Sequence, residues 1–107
     1  MRIIDVHSHL GQYATARMSA CGGELSRLFE ESGIAHGIAF SIEACYGAID
    51  LGNTYTLGEV AAHPSLSAMI VIHPEHAASS SRWIRQAASD PNVVGIKLHP
   101  ALGNYDV

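Results

Sequence analysis

At 107 residues the chain has room for one domain with a limited core. Hydrophobic residues make up 48% and charged residues 15%, a globular balance that excludes an intrinsically disordered chain. The formal net charge of −4 argues against nucleic acid or an anionic membrane as a partner, and no apolar run approaches the roughly 20 residues of a membrane span.

Residues 2–7 read as a buried strand that runs into His7 and His9. Strand side chains alternate between faces, so Asp5, His7 and His9 are expected on one face and Ile4 and Val6 on the other. Two imidazoles so placed can share one divalent ion, with nitrogens roughly 2.0–2.1 Å from zinc. A pair of solvated loop histidines after an edge strand is the other reading, and residue type and spacing leave both open.

A loop containing Gly22 and Gly23 leads into a predicted helix over 24–32, where Leu25, Leu28 and Phe29 form an apolar stripe. Gly33 stands as its C-terminal stop. From Ile34 to Ile42 bulky Ile34, Ile38, Phe40 and Ile42 alternate with small Ala35, Gly37, Ala39 and Ser41, a strand with one crowded, narrow side. Asn53 is placed to cap a helix that ends before Pro64. Ser67 to Ile72 is a third strand, closing on His73-Pro74. Ser79–Ser81 is expected to cap a helix carrying Trp83, Ile84, Ala87 and Ala88, which Asp90-Pro91-Asn92 ends. Val93 to Leu98 is a fourth strand, closing on His99-Pro100.

Four strands separated by three helices predict a parallel α/β sheet built from right-handed crossovers. No G-x-G-x-x-G and no P-loop follows a strand, which excludes the two nucleotide-binding readings. Cys21 and Cys45 form no C-x-x-C pair, so neither a disulfide framework nor a thiolate zinc knuckle is indicated, and a reducing cytoplasmic setting fits. No basic stretch followed by an apolar run opens the sequence, so no secretory leader is expected. Ligands of parallel α/β sheets bind outside the carboxyl ends of the strands. His7, His9, His73, Lys97 and His99 all fall there. His73 and His99 each precede proline, so plain extended strand-end residues are the alternative for both.

The opening Ile3-Ile-Asp-Val-His-Ser-His-Leu-Gly11 resembles that of the amidohydrolase superfamily, and within it the amidohydrolase-2 branch of aminocarboxymuconate-semialdehyde decarboxylase-like enzymes. Glu24 to Ile34 is similar to that branch's first helix and entry to strand two, Met69-Ile-Val-Ile-His-Pro74 to its third strand, and Asn92-Val-Val-Gly-Ile-Lys-Leu-His-Pro100 to its fourth. The resemblance implies a (β/α)8 TIM barrel with a divalent metal at its C-terminal mouth, zinc being the expected ion, held by His7 and His9. Further ligands in the family are histidines on the fifth and sixth strands and an aspartate on the eighth. Such a barrel takes about 250 residues, so residues 1–107 are expected to be its N-terminal half, about four βα units of a longer gene product. The later ligands have no counterpart here.

The function so implied is that of a metal-dependent hydrolase, with metal-activated water attacking a carbonyl of a small-molecule substrate. The alternatives are a non-oxidative decarboxylase of the same branch, a binuclear dihydroorotase-like enzyme, and a non-catalytic half-barrel that assembles with itself or with a complementing second half. Phosphoesterases of the polymerase-and-histidinol-phosphatase type expect an Asp-Gly soon after the histidines, and metallo-β-lactamase-like hydrolases expect His-x-His-x-Asp-His; neither is present. The isolated 107 residues are expected to be inactive, because two histidines leave zinc short of the three protein ligands usual in catalytic sites.

Lys97 and His99 are the candidate catalytic residues. The period of two puts both opposite Val94, Ile96 and Leu98, which should pack beneath the helices. Ala35, Ala39, Ser41, Lys97 and His99 should then line the barrel interior, wet without an opposing half. Gly95-Ile-Lys-Leu-His-Pro-Ala101 is similar to the dihydroorotase strand that bears a carboxylated, metal-bridging lysine. The one-metal arrangement of the amidohydrolase-2 branch instead implies that Lys97 contacts substrate or pairs with an internal acid such as Asp5. His99, nearer the mouth, would meet substrate or water.

Overall fold

Apolar, β-branched Ile3, Ile4 and Val6 start the first strand, but it does not stop at the histidines. In the computed structural model, which describes residues 1–13 and 15–106, β1 runs over Ile3–Tyr13. A three-residue strand, β2 (Met18–Ala20), folds back antiparallel onto Gly11–Tyr13. Three residues without a clear alternation carry too little pattern to be read from sequence. Helix α1 (Gly22–Ser32) buries Leu25 and Phe29 and ends at Gly33, whose left-handed φ of 71° lets its N–H reach the Glu30 carbonyl. Leu28, on the same predicted stripe, stands exposed.

Strand β3 (Ile34–Ser41) leads directly into the single turn α2 (Ile42–Cys45) and then α3 (Ile49–Ala62). Strand β4 (Leu66–Val71), helix α4 (Ala77–Ala87), strand β5 (Val93–Lys97) and the short α5 (Pro100–Gly103) follow. The sheet order is β2-β1-β3-β4-β5, with β1, β3, β4 and β5 parallel and β2 antiparallel at one edge. This is an α/β domain with a five-stranded, mostly parallel sheet. Among the described residues no helix is long and apolar enough to cross a membrane.

The helices α1, α3 and α4 pack on one face. Leu25, Phe29 and Val60 close over Leu10, Ala39, Leu66 and Ala68, while Ile49 and Trp83 close over Ile70. The small side of β3 therefore faces the helices, the reverse of its expected place in the interior. A Cβ on Gly37 would run into the Phe29 ring, and Ala39 and Ser41 are fully buried. The reason is steric: small strand residues let helices approach the sheet closely, and Phe40 is turned to the other face. That face is not bare at its carboxyl end, where Phe40 packs with Ile42, Cys45 and Val71.

Three further expectations change. Helix α3 begins at Ile49, so Asn53 lies inside it and caps nothing. Its buried amide donates to the Val71 carbonyl at 2.8 Å and accepts the Val71 N–H at 2.9 Å, joining helix to strand. Helix α4 begins at Ala77, so Ser79–Ser81 lie within it, and the Ser80 hydroxyl bonds the backbone of His73. Val94, Ile96 and Leu98 are 54%, 41% and 47% exposed instead of packed beneath helices. A register shift makes Val94 an extra residue in β5, and α4 reaches no further than Val93 on that strand's core side.

Candidate functional site

The site begins with an irregularity in β1. Asp5 pairs with Gly37, Ser8 with Ala39 and His9 with Phe40, so Val6 and His7 together oppose Ile38. One extra residue in a strand inverts the alternation beyond it. Asp5 therefore shares the helix-side face of Gly37, while His9 shares the opposite face with Phe40. The expected single face of Asp5, His7 and His9 does not form. Asp5 instead closes the bulge, accepting the His7 backbone N–H at 2.8 Å and the Ser8 hydroxyl at 3.1 Å.

Beyond the bulge, Phe40 gathers the predicted groups at the carboxyl end of the sheet. The His7 and His9 ring centroids lie 5.1 Å apart, and they stand 5.2 and 4.8 Å from the Phe40 centroid. Lys97, the last residue of β5, sets its Nζ 4.8 Å from the same centroid, a cation–π contact. Lys97 thus pairs with an aromatic face and not with Asp5. Phe40 was hidden in the sequence because bulky residues on an alternating strand read as helix-side core. The signal that would have found it is the smallness of Gly37 and Ala39, which marks the face where helices come close.

His9 Nε2 is buried without a hydrogen-bond partner. Buried polar atoms are rarely left so, and each one calls for an explanation. Burial, followed by the neighbouring charges of His7, Lys97 and His99, holds the His9 pKa below the usual histidine value. The ring is consequently neutral near pH 7, the form that donates a lone pair to a metal. His9 also borders a cleft of about 420 Å³ whose walls include Tyr13, Met18 and Ile42.

His99 caps α5, its Nδ1 accepting the Leu102 N–H at 3.4 Å, and it lies near enough to His9 to bear on that ring's pKa. His73 stands apart. Its Nδ1 accepts the Glu75 N–H at 3.2 Å and its Nε2 donates to the Gly103 carbonyl at 2.7 Å, so a buried strand-end histidine with both nitrogens engaged is a structural residue. A second cleft of about 540 Å³, lined in part by Glu24, Glu43 and Tyr55, lies on the other side of the β1–β2 pair. Its carboxylates are already engaged, Glu24 by the Cys21 N–H, and Glu43 by the Gln12 N–H and the Ser41 hydroxyl. The nearby Cys45 thiol is pushed up to about 11 by burial, so no thiolate joins the histidines.

His7 and His9 fit a divalent ion as two of its ligands, on the strength of the unpartnered His9 nitrogen and the neutral ring. A third protein donor is absent among the described residues, which hold no group of three His, Cys, Asp or Glu placed for a metal. No family model, curated protein or solved structure matches the chain.

Proposed function

We propose that this chain forms the first four βα units of an amidohydrolase-type (β/α)8 barrel, and that the protein is a metal-dependent hydrolase. The strand order supports the barrel half of this reading. Four parallel strands follow one another in space in chain order, with α1, α3 and α4 on one face, as winding around a barrel requires. A doubly wound sheet would place helices on both faces. The observation that carries the function is the pairing of His7 with His9 at 5.1 Å, with His9 Nε2 buried and unpartnered.

Each side chain then has a task. When bound, a divalent ion such as zinc supplies Lewis acidity, polarising a carbonyl and lowering the pKa of water toward about 7. His7 and His9 would hold it, His9 as a neutral ligand. Lys97 places positive charge beside His9, where an oxyanion or a substrate carboxylate would be stabilised, and His99 would meet substrate or water. The cleft bordered by Tyr13, Met18 and Ile42 would exclude water from an apolar part of the substrate. Lys97 also favours a second reading, non-oxidative decarboxylation, because its ammonium lies over the Phe40 ring that both histidines meet and would anchor a substrate carboxylate beside them.

Metal analysis of the full-length protein tests the proposal. It should purify with stoichiometric divalent metal and lose both metal and activity when His7→Ala and His9→Ala are combined. Metal-free, fully active protein, unchanged by that double substitution, would sink it.

A further inference from the structure

We infer that Phe40 is the positioning residue of the site, fixing the His7 and His9 rings and the Lys97 ammonium around one point without occupying a donor atom. The inference rests on the reading of His7 and His9 as metal ligands. It starts from what the backbone leaves undetermined. The bulge at Val6 and His7 leaves His7 outside the regular pairing that holds Ser8, His9 and Leu10, so the strand ladder alone does not fix the His7 ring against that of His9. A histidine χ2 torsion is also broad and roughly two-fold, so something must choose the ring orientation.

Ligating histidines are ordinarily oriented by a hydrogen bond from the ring nitrogen that does not touch the metal. Here the orienting contacts are aromatic. The His7 and His9 planes meet Phe40 at 68° and 77°, the perpendicular arrangement that aromatic pairs favour. Phe40 is fully buried, so it cannot follow the imidazoles if they turn. The Lys97 ammonium 4.8 Å from the Phe40 centroid ties β5 to the same ring. An aromatic neighbour also does what a polar one would not. Asparagine or serine at this position would compete for His9 Nε2, the atom left unpartnered. A hydrocarbon ring holds the imidazoles and leaves that nitrogen to a ligand.

The test compares the 107-residue chain with Phe40→Leu, which keeps an apolar side chain and removes the ring, and Phe40→Tyr, which restores it. Zinc alone is titrated against a chromophoric chelator, and histidine ring protons are followed by NMR in the metal-free proteins. Phe40→Leu should weaken zinc binding about tenfold or more, as loss of ligand-orienting neighbours does, and Phe40→Tyr should recover most of it. In the metal-free protein the His7 and His9 ring protons should move in Phe40→Leu while those of His73 stay in place. Wild-type zinc affinity in a folded Phe40→Leu protein overturns the inference. If the wild type binds no zinc, the ligand reading fails, and the NMR comparison decides the positioning role alone: unchanged His7 and His9 resonances overturn it. If Phe40→Leu does not fold, Phe40→Met carries the same comparison.

Discussion

The Asp5 carboxylate accepts the backbone N–H of His7, two residues along its own strand, at 2.8 Å. This bond, with the one from Ser8, fixes the bulge that turns the second half of β1 over, so the sequence Asp-x-His encodes a backbone irregularity as much as a row of side chains. Replacing Asp5 by alanine should cost about 1–2 kcal/mol of stability, since an acceptor for a backbone donor is lost at a partly solvated site. Asparagine retains one acceptor oxygen and should recover at least half. Urea denaturation of the two variants measures this, and equal midpoints for wild type and Asp5→Ala would show that the bulge closes without the carboxylate.

A second helix–strand joint makes a sharper prediction. Asn53 satisfies both the N–H and the C=O of Val71 from the middle of α3. Asn53→Ala orphans two buried backbone groups at once and should destabilise the fold by roughly 3 kcal/mol. Asn53→Asp can still accept the N–H but sets a carboxylate against the Val71 carbonyl, and should be no better. The check is chemical denaturation with amide exchange at Val71. A loss near the ~1 kcal/mol average for point substitutions would mean that water replaces the amide.

These two residues mark where the sequence is readable and where it is not. The order of parallel strands and helices is legible, because apolar runs and glycine stops are local signals. So is the gathering of His7, His9 and Lys97 at the carboxyl end, which follows from strand polarity. The orientation of β3 is not legible, since bulkiness usually marks the core, whereas here Phe40 stands against the histidines and Gly37 against Phe29. Asp5 and Asn53 depart from their expected places for a shared reason. Each is a polar residue with a respectable local role, and its actual partner was fixed by a bulge or by a strand 18 residues away.

Glycine substitutions should separate close packing from open space. A Cβ at Gly37 meets the Phe29 ring, whereas one at Gly58, in the exposed part of α3, meets nothing within 4 Å. Gly37→Ala should therefore cost about 1–3 kcal/mol through overpacking. Gly58→Ala should gain about 0.5–1 kcal/mol through helix propensity. Thermal unfolding of both variants checks the pair, and a shift of the same sign in each would contradict the packing described.

On the acid side, Asp50 links α3 to α4. The Trp83 indole N–H at 2.7 Å and then the Arg82 guanidinium at 2.5 Å hold its pKa below the ordinary aspartate value. A carboxylate whose folded pKa is depressed contributes stability that is full above the unfolded value of about 3.9 and lost as pH falls through the lower folded value. Thermal midpoints should fall in that acid range for the wild type and fall less for Asp50→Asn. Parallel profiles would remove Asp50 from the account.

His9 has the same sign of linkage at a higher pH. Its folded pKa lies below the ordinary histidine value, chiefly through burial and then through the charges of His7, Lys97 and His99. The unfolded chain therefore takes up the proton first. The contribution to stability is complete above the unfolded pKa of about 6.5 and declines as pH falls through the depressed folded value. The metal-free protein should thus lose stability as the pH falls below the ordinary histidine range, with a smaller loss in His9→Gln. In an NMR titration the His9 ring protons should respond at lower pH than those of a free imidazole. Should His9 titrate at or above the ordinary value, its ring would be largely protonated under mildly acidic conditions and the neutral-ligand role assigned to it would fall.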